Sequence, residues 1–358
     1  MELTPLLKRM IDERASDIFI VAGRPITFAS SGRLMKLGDQ MLKPADTKEV
    51  IKAVYAMADR NYDVMESNFN HDEDFSFAIS GVGRFRANVF RQRGSMSAVI
   101  RVIPFGLPNP ADYEITEDVL SLSRLQKGLV LVTGPAGSGK TTTLTCILDR
   151  LNHEREGHII TMEDPIEYVH RHESCIVTQR EIPTDVATYA EALRSALRQS
   201  PDVIFLGEMR DPETVSTAMT AAEMAQLLFS TLHTTSAAGT VDRIIDTFPA
   251  VQQHQIRIQL SLVLQAIVCQ QLVPTVDGRV TPVFEIMRSN PAIRNLIREN
   301  KTHQIDSVIA AGGKDGMRTM DQSLFQLAKQ GRITTETALR FSIHEEALER
   351  RLEIEGVR

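Results

Sequence analysis

GLVLVTGPAGSGKTTTLTCILDRLN, residues 128–152, passes in one stretch from an apolar run through a glycine-rich turn into a helical pattern. Within it, Gly134–Thr141 fits G-x-x-x-x-G-K-[ST] in full. Gly134, Gly137 and Gly139 permit backbone angles that aim successive N–H groups at one anion. The helix that follows adds its positive N-terminal end. Lys140 is placed to reach the β- and γ-phosphates of a nucleotide, and the Thr141 hydroxyl to ligate Mg²⁺. Pro135, Ala136, Ser138 and Thr142 complete the expected ATP-binding set around them.

Working outward, HIITMED (158–164), DVIFLGE (202–208) and LLFSTLH (227–233) are further short apolar runs, each next to a polar turn and separated by helical stretches. Strands alternating with helices predict a mostly parallel α/β sheet covered on both faces. From about 252 onward the pattern reads as helical, apart from VTPVFEIM (280–287). Upstream the pattern differs. A helical spacing of Leu3, Leu6, Leu7, Met10 and Ile11 leads into a strand at 17–23, and 44–66 reads as helix. FSFAI (75–79), RFRANVFRQR (84–93) and SAVIRVI (97–103) alternate as strands. PFGLPNPADYEIT (104–116) holds three prolines and reads as a linker. The expected organisation is therefore a smaller α+β domain over 1–103, a linker over 104–116, and an α/β domain over 117–358.

Composition narrows the function. Hydrophobic residues make up 42% and charged residues 24% of 358 residues, the mix of a globular protein. A net charge of −6 and the absence of Trp argue against a nucleic-acid partner, which would ask for a basic face and stacking rings. No run of about 18 apolar residues is present, so no direct membrane insertion is expected. The start lacks a signal-peptide core, so a cytoplasmic location is expected. Cys146, Cys175 and Cys269 lie far apart, in no disulfide or zinc pattern.

Phosphoryl transfer needs carboxylates near the phosphate loop, at the end of a neighbouring strand. Glu163 and Asp164 end the run HIITM, and Glu208 ends DVIFLG ahead of Arg210 and Asp211. The carboxyl ends of strands form the rim where open α/β sheets bind ligands.

The order GPAGSGKT, EDPIEY (163–168), GEMRD (207–211) and TLHT (231–234) resembles the secretion ATPase superfamily, as its Walker A, Asp box, Walker B and His box. The resemblance runs from about residue 3 to 345. It implies a RecA-like P-loop NTPase domain behind a PAS-like N-terminal domain. It makes Glu208 the Walker B glutamate and a Mg²⁺ partner, and Glu163 the carboxylate that polarises water; which of the two is the base stays open. His233 is implied at the catalytic site. So are arginines of the first domain acting as fingers: among Arg84, Arg86, Arg91, Arg93 and Arg101, the last two match best by position. An always-charged, bidentate guanidinium suits that role.

AIRNLIRE (292–299) and the opening RASDIFIVAGRP (14–25) resemble the type IV pilus retraction branch, the PilT/PilU-like proteins. The tetracysteine zinc insertion of extension motors and type II secretion ATPases is missing. What the branch implies is a homohexameric, Mg²⁺-dependent ATPase motor for twitching motility. It would sit at the inner face of the cell membrane at the pilus base, on a platform protein, with a second pilus ATPase as a further partner. CIVTQREI (175–182) leans towards PilU and HTTSAAGTVDRI (233–244) towards PilT. The His box departs from the family, with Met224, Ala225 and Gln226 in place of Thr-Gly-His. That change admits two readings: a weakly active accessory subunit, or Gln226 orienting water. A related secretion or DNA-uptake ATPase is the remaining alternative.

Overall fold

The computed structural model describes residues 3–30, 33–67, 71–103 and 106–357. Cα packing divides them into two compact units, Met1–Gly106 with Glu167–Val169, and Leu107–Ile166 with His170–Arg358.

The first unit is built on a six-stranded antiparallel sheet. Its strands are β1 (Asp17–Ile20), β2 (Thr27–Ser30), β3 (Arg33–Lys36), β4 (Glu73–Ile79), β5 (Gly83–Gln92) and β6 (Ser95–Ile103), in the order β3-β2-β1-β6-β5-β4. β5 shows the cause: Phe85, Ala87 and Val89 point into the core while the residues between them are only partly covered. Leu3, Leu6, Leu7 and Met10 bury the face of the helix Leu3–Asp12 that the spacing predicted. The single helix expected over 44–66 is two, Pro44–Met57 and Tyr62–Ser67. Asp59 at φ 54° ends the first, and the Asn61 side chain accepts the N–H groups of Asp63 and Val64 to start the second. The short strands β2 and β3 carried no clear signal.

The second unit holds a seven-stranded sheet. It consists of β7 (Gly128–Thr133), β8 (Gly157–Glu163), β9 (Cys175–Glu181), β10 (Val203–Leu206), β11 (Leu227–Leu232), β12 (Leu264–Pro274) and β13 (Val280–Arg288), in the order β13-β12-β7-β11-β10-β8-β9. All neighbours run parallel except β12 and β13. Alternate residues feed two cores, one on each face. Leu129 and Leu131 of β7 enter one, with Ile204, Leu206 and Ile267. Val130 and Val132 enter the other, with Val203, Phe205 and Val268, against the helix Lys140–Glu154. The parallel, doubly covered sheet is as the sequence predicted.

A larger expectation fails as well. Residues 264–274 form β12, not helix. Ala266, Ile267, Val268 and Cys269 are all fully buried between β7 and β13. A strand covered on both faces has no period of two to read. Moreover the helix Ala250–Val263 passes into β12 at Leu264 with no turn residue between.

The expected linker is also partly built in. Pro104 and Phe105 lie outside the described residues, but Ile115 is buried in the second unit's core. Glu114 accepts from Arg332 at 2.6 and 2.7 Å and from Thr281 at 2.8 Å. The helix Pro291–Arg298 carries the AIRNLIRE segment, with Ile293 and Ile297 buried and Leu296 packed on the same core.

Candidate functional site

β7 delivers the chain to Gly134 at the carboxyl rim of the sheet. Gly134, Gly137 and Gly139 sit at φ 147°, 76° and 86°, a region costly for any residue with a side chain. At Gly134 the lack of a Cβ also matters sterically, since one would run into the backbone carbonyl of Gln270 and lie 2.7 Å from Ser138 Oγ. Gly139 caps the helix Lys140–Glu154, so Lys140 and Thr141 stand in its first turn. Lys140 is 8% exposed, and its ammonium donates to the carbonyls of Gly134 and Pro135, both at 2.9 Å.

The cradle fits a polyphosphate. The Ser138 hydroxyl is buried and has no hydrogen-bond partner among the described residues, so a polar group supplied from outside the chain would satisfy it. Pro135, Ala136 and Thr142 complete the turn and the first helical residues.

Sequence reasoning missed Gln270. It lies on β12 beside the loop, 3% exposed, where its Oε1 accepts from Thr143 Oγ1 at 2.7 Å. Its Nε2 stands 2.9 Å from where a Gly139 Cβ would be. With 264–274 read as helix, no pattern could have placed it there.

The carboxylates line the same rim, but not on the adjacent strand as expected. β11 neighbours β7, and β10 and β8 follow. At a strand spacing of about 4.8 Å, Glu208 after β10 stands two strands (about 10 Å) and Glu163 at the end of β8 three strands (about 14 Å) from the loop strand. The adjacent strand instead brings His233, which directly follows β11, while Gly134 N donates to Leu232 O at 3.2 Å. His233 Nε2 lies 3.7 Å from Glu208 Oε2, and Arg210 Nε 2.6 Å from the same oxygen. Glu163 is 6% exposed and accepts from Thr161 Oγ1 at 2.6 Å and Gln179 Nε2 at 3.2 Å.

Tyr189, which sequence reasoning also passed over, stands among these carboxylates. Its hydroxyl would lie 2.8 Å from a Cβ on Gly207. Burial, then the negative charges of Glu208, Asp164 and Glu163, push its phenol well above the ordinary tyrosine range.

Gln226 is elsewhere. It precedes β11 at the opposite edge of the sheet, where its carbonyl accepts from Gly128 N at 2.9 Å. In the orientation that satisfies both its groups, its amide donates to the carbonyls of Ala221 and Met224. The six residues of β11 separate it from His233, about 23 Å of strand, so it does not orient water at this chain's own loop. The neighbouring Ala225 holds φ 74°. The left-handed region costs a residue with a Cβ about 1–2 kcal/mol, part of which glycine's extra unfolded-state freedom would cancel. Ala225→Gly is therefore expected to stabilise by about 1 kcal/mol and raise the melting temperature by about 2–4 °C, checked by thermal denaturation. An unchanged or lower melting temperature would show that this strain is absent.

In the first unit, Arg93 and Gly94, at φ 47° and 76°, form the two-residue turn joining β5 to β6. Arg101 lies far down β6, where its Nε donates to Asp17 Oδ1 at 2.9 Å. About 20 Å of strand separates the two guanidinium-bearing positions, so they cannot both serve one phosphate. Arg86 is held by both oxygens of Asp74, at 2.8 and 2.6 Å.

A glycine cradle opening a helix, a lysine folded over it, and acidic groups along the same rim of a parallel sheet define a P-loop ATPase. Residues 2–340 match the type II/IV secretion system protein family. The chain is 44% identical to the type IV pilus retraction ATPase PilT of Pseudomonas aeruginosa over 340 residues, covering 94% of this chain and 97% of that protein. It is 40% identical to the type IV pilus ATPase PilU of the same organism, covering 95% and 88%. The crystal structure of the pilus retraction motor PilT with bound ADP superposes with a TM-score of 0.90 at 44% identity, over 98% of this chain and 99% of that one. The chain belongs to the type II/IV secretion system protein family, and within it to the PilT/PilU-like ATPases.

Proposed function

We propose that this ATPase is the repeating subunit of a homohexameric motor that powers retraction of a type IV pilus. The observation that carries the proposal is the match to PilT from end to end, with the phosphate cradle intact. The chain works as two domains, the first over about 1–103 and the second over about 107–358, with the end of the expected linker packed into the second. Residues 134–142 hold ATP, with Lys140 balancing phosphate charge. Thr141 and Glu208 would hold Mg²⁺, an ion that takes few protein ligands. That ion would neutralise charge on the transferring group. Glu163 orients or deprotonates water, and His233 senses the phosphates beside Glu208. One of Arg93 and Arg101 supplies the finger; substituting each by Ala and comparing turnover with ADP affinity assigns it.

Among the described residues no helix is long and apolar enough to cross a membrane. The proposed place is peripheral, at the inner face of the cell membrane, on a platform protein and beside a second pilus ATPase. The departure at Met224, Ala225 and Gln226 in the His box carries one further reading, an accessory subunit with little turnover of its own. A steady-state ATPase assay on the purified protein separates the two. In the cell, deletion of the gene is expected to leave surface pili in excess and to abolish twitching. Loss of pili on deletion would reject retraction.

A further inference from the structure

Directly behind the phosphate loop lies a buried polar chain that the site so far described does not use. Glu285, on β13, is 1% exposed and faces Cys269 across the β12–β13 pair. Its two oxygens go in different directions. Oε1 accepts the N–H of Ala237 at 2.6 Å, and Oε2 the N–H of Met320 at 3.2 Å. Each is the first residue of a helix, Ala237–Asp246 and Met320–Lys329. The side-chain caps Ser236 and Thr319 already bond the N–H groups of Gly239 and Gln322, so Glu285 takes first-turn donors those caps leave over.

The same cluster reaches the nucleotide site from below. Thr133, the residue before Gly134, donates its hydroxyl to Cys269 Sγ at 3.2 Å. Thr234, the residue after His233, lies 2.6 Å from the Thr240 hydroxyl, which donates to Ser236 O at 2.7 Å. Thr133, Cys269 and Thr240 are fully buried. An apolar core would hold these strands as well, and a buried carboxylate is costly unless its hydrogen bonds are needed. Burial raises its carboxyl to about 7 against the pull of its two backbone donors, with Cys269 beside it and Asp306 the nearby charge.

We propose that Glu285 is a positioning residue that ties the His233–Ser236 turn to the start of the helix Met320–Lys329. A shift of that turn on a change of phosphate state is thereby passed to the C-terminal helices. The proposal rests on ATP binding at 134–141.

Hydrogen exchange of the full-length protein, read by mass spectrometry with ADP and with a non-hydrolysable ATP analogue plus Mg²⁺, tests it. Peptides covering 233–240 and 318–324 are expected to change protection together in the wild-type protein. In Glu285→Gln the amide has one acceptor oxygen for two donors, and its NH₂ opposes the N–H it abandons. The 233–240 peptide should then still respond while 318–324 falls silent. Turnover should drop about 10-fold, as displacement of a site from behind does, with ADP affinity within about twofold of wild type. Independent responses of the two peptides in the wild type, or a response of neither with nucleotide bound, would overturn the tie. So would unchanged turnover and coupling in the variant. Equal loss of turnover and ADP affinity would show general damage instead, and also reject it. Should the variant not fold, the wild-type arm decides alone. A wild-type protein that binds no nucleotide would defeat the parent assignment, a separate outcome.

Discussion

Lys140→Ala is expected to lower ATP turnover by at least about 10³-fold, the scale on which a single phosphate-facing cation acts in such sites. The residue is 8% exposed, and its ammonium bonds two loop carbonyls. That position keeps a full positive charge where the developing negative charge of phosphoryl transfer would lie, in a poorly hydrated place that strengthens it. Alanine removes the charge and also leaves two loop carbonyls without their donor. A bond to a charged group contributes about 1.5–3 kcal/mol, so some loosening of the loop should accompany the loss. The fold itself should survive, because neither core includes the lysine side chain. Turnover, nucleotide affinity and melting temperature measured together distinguish these effects. Turnover within tenfold of wild type would remove Lys140 from the chemistry.

The second large effect separates the two glutamates. Glu208→Gln and Glu163→Gln should each cut kcat by about 10²–10⁴-fold, the span of a positioned acid–base group, while ATP still binds. Their surroundings predict different signatures. Glu208 stands one strand nearer the loop, beside His233 and Arg210, so its amide variant should need more Mg²⁺ for half-maximal rate. Glu163 is buried and held by Thr161 and Gln179, a pre-set geometry suited to one water, so its variant should lose rate at unchanged Mg²⁺ demand. Magnesium titrations of both variants supply the comparison. A Glu163→Gln protein hydrolysing at the wild-type rate would take that residue out of the reaction. Identical Mg²⁺ curves would undo the division of roles.

Much of this site was legible beforehand because its determinants are local. Glycines that must adopt positive φ, a lysine and threonine opening the next helix, and carboxylates ending apolar strands are all set within a few residues of chain. The strands β7, β8, β10 and β11 could be read for a similar reason. Each is a short apolar run bounded by polar turns. β12 escaped, as did the split of 44–66, because the first lacked a bounding turn and the second depended on one aspartate and one asparagine cap.

Other residues could not be read from spacing at all. Gln226 and His233 are close in sequence, yet the strand between them carries them to opposite edges of the sheet. Gln270, Tyr189 and Glu285 meet the site only through strand order and helix packing, with partners such as Thr143, Gly207 and Ala237 many positions away. Local backbone chemistry thus made this chain a phosphate-gripping α/β protein before any fold was known. Which side chains press on that grip from behind, and which lie out of its reach, followed from sheet order, because neighbours across a ladder are set by packing the whole chain and leave no mark in the spacing of any one segment.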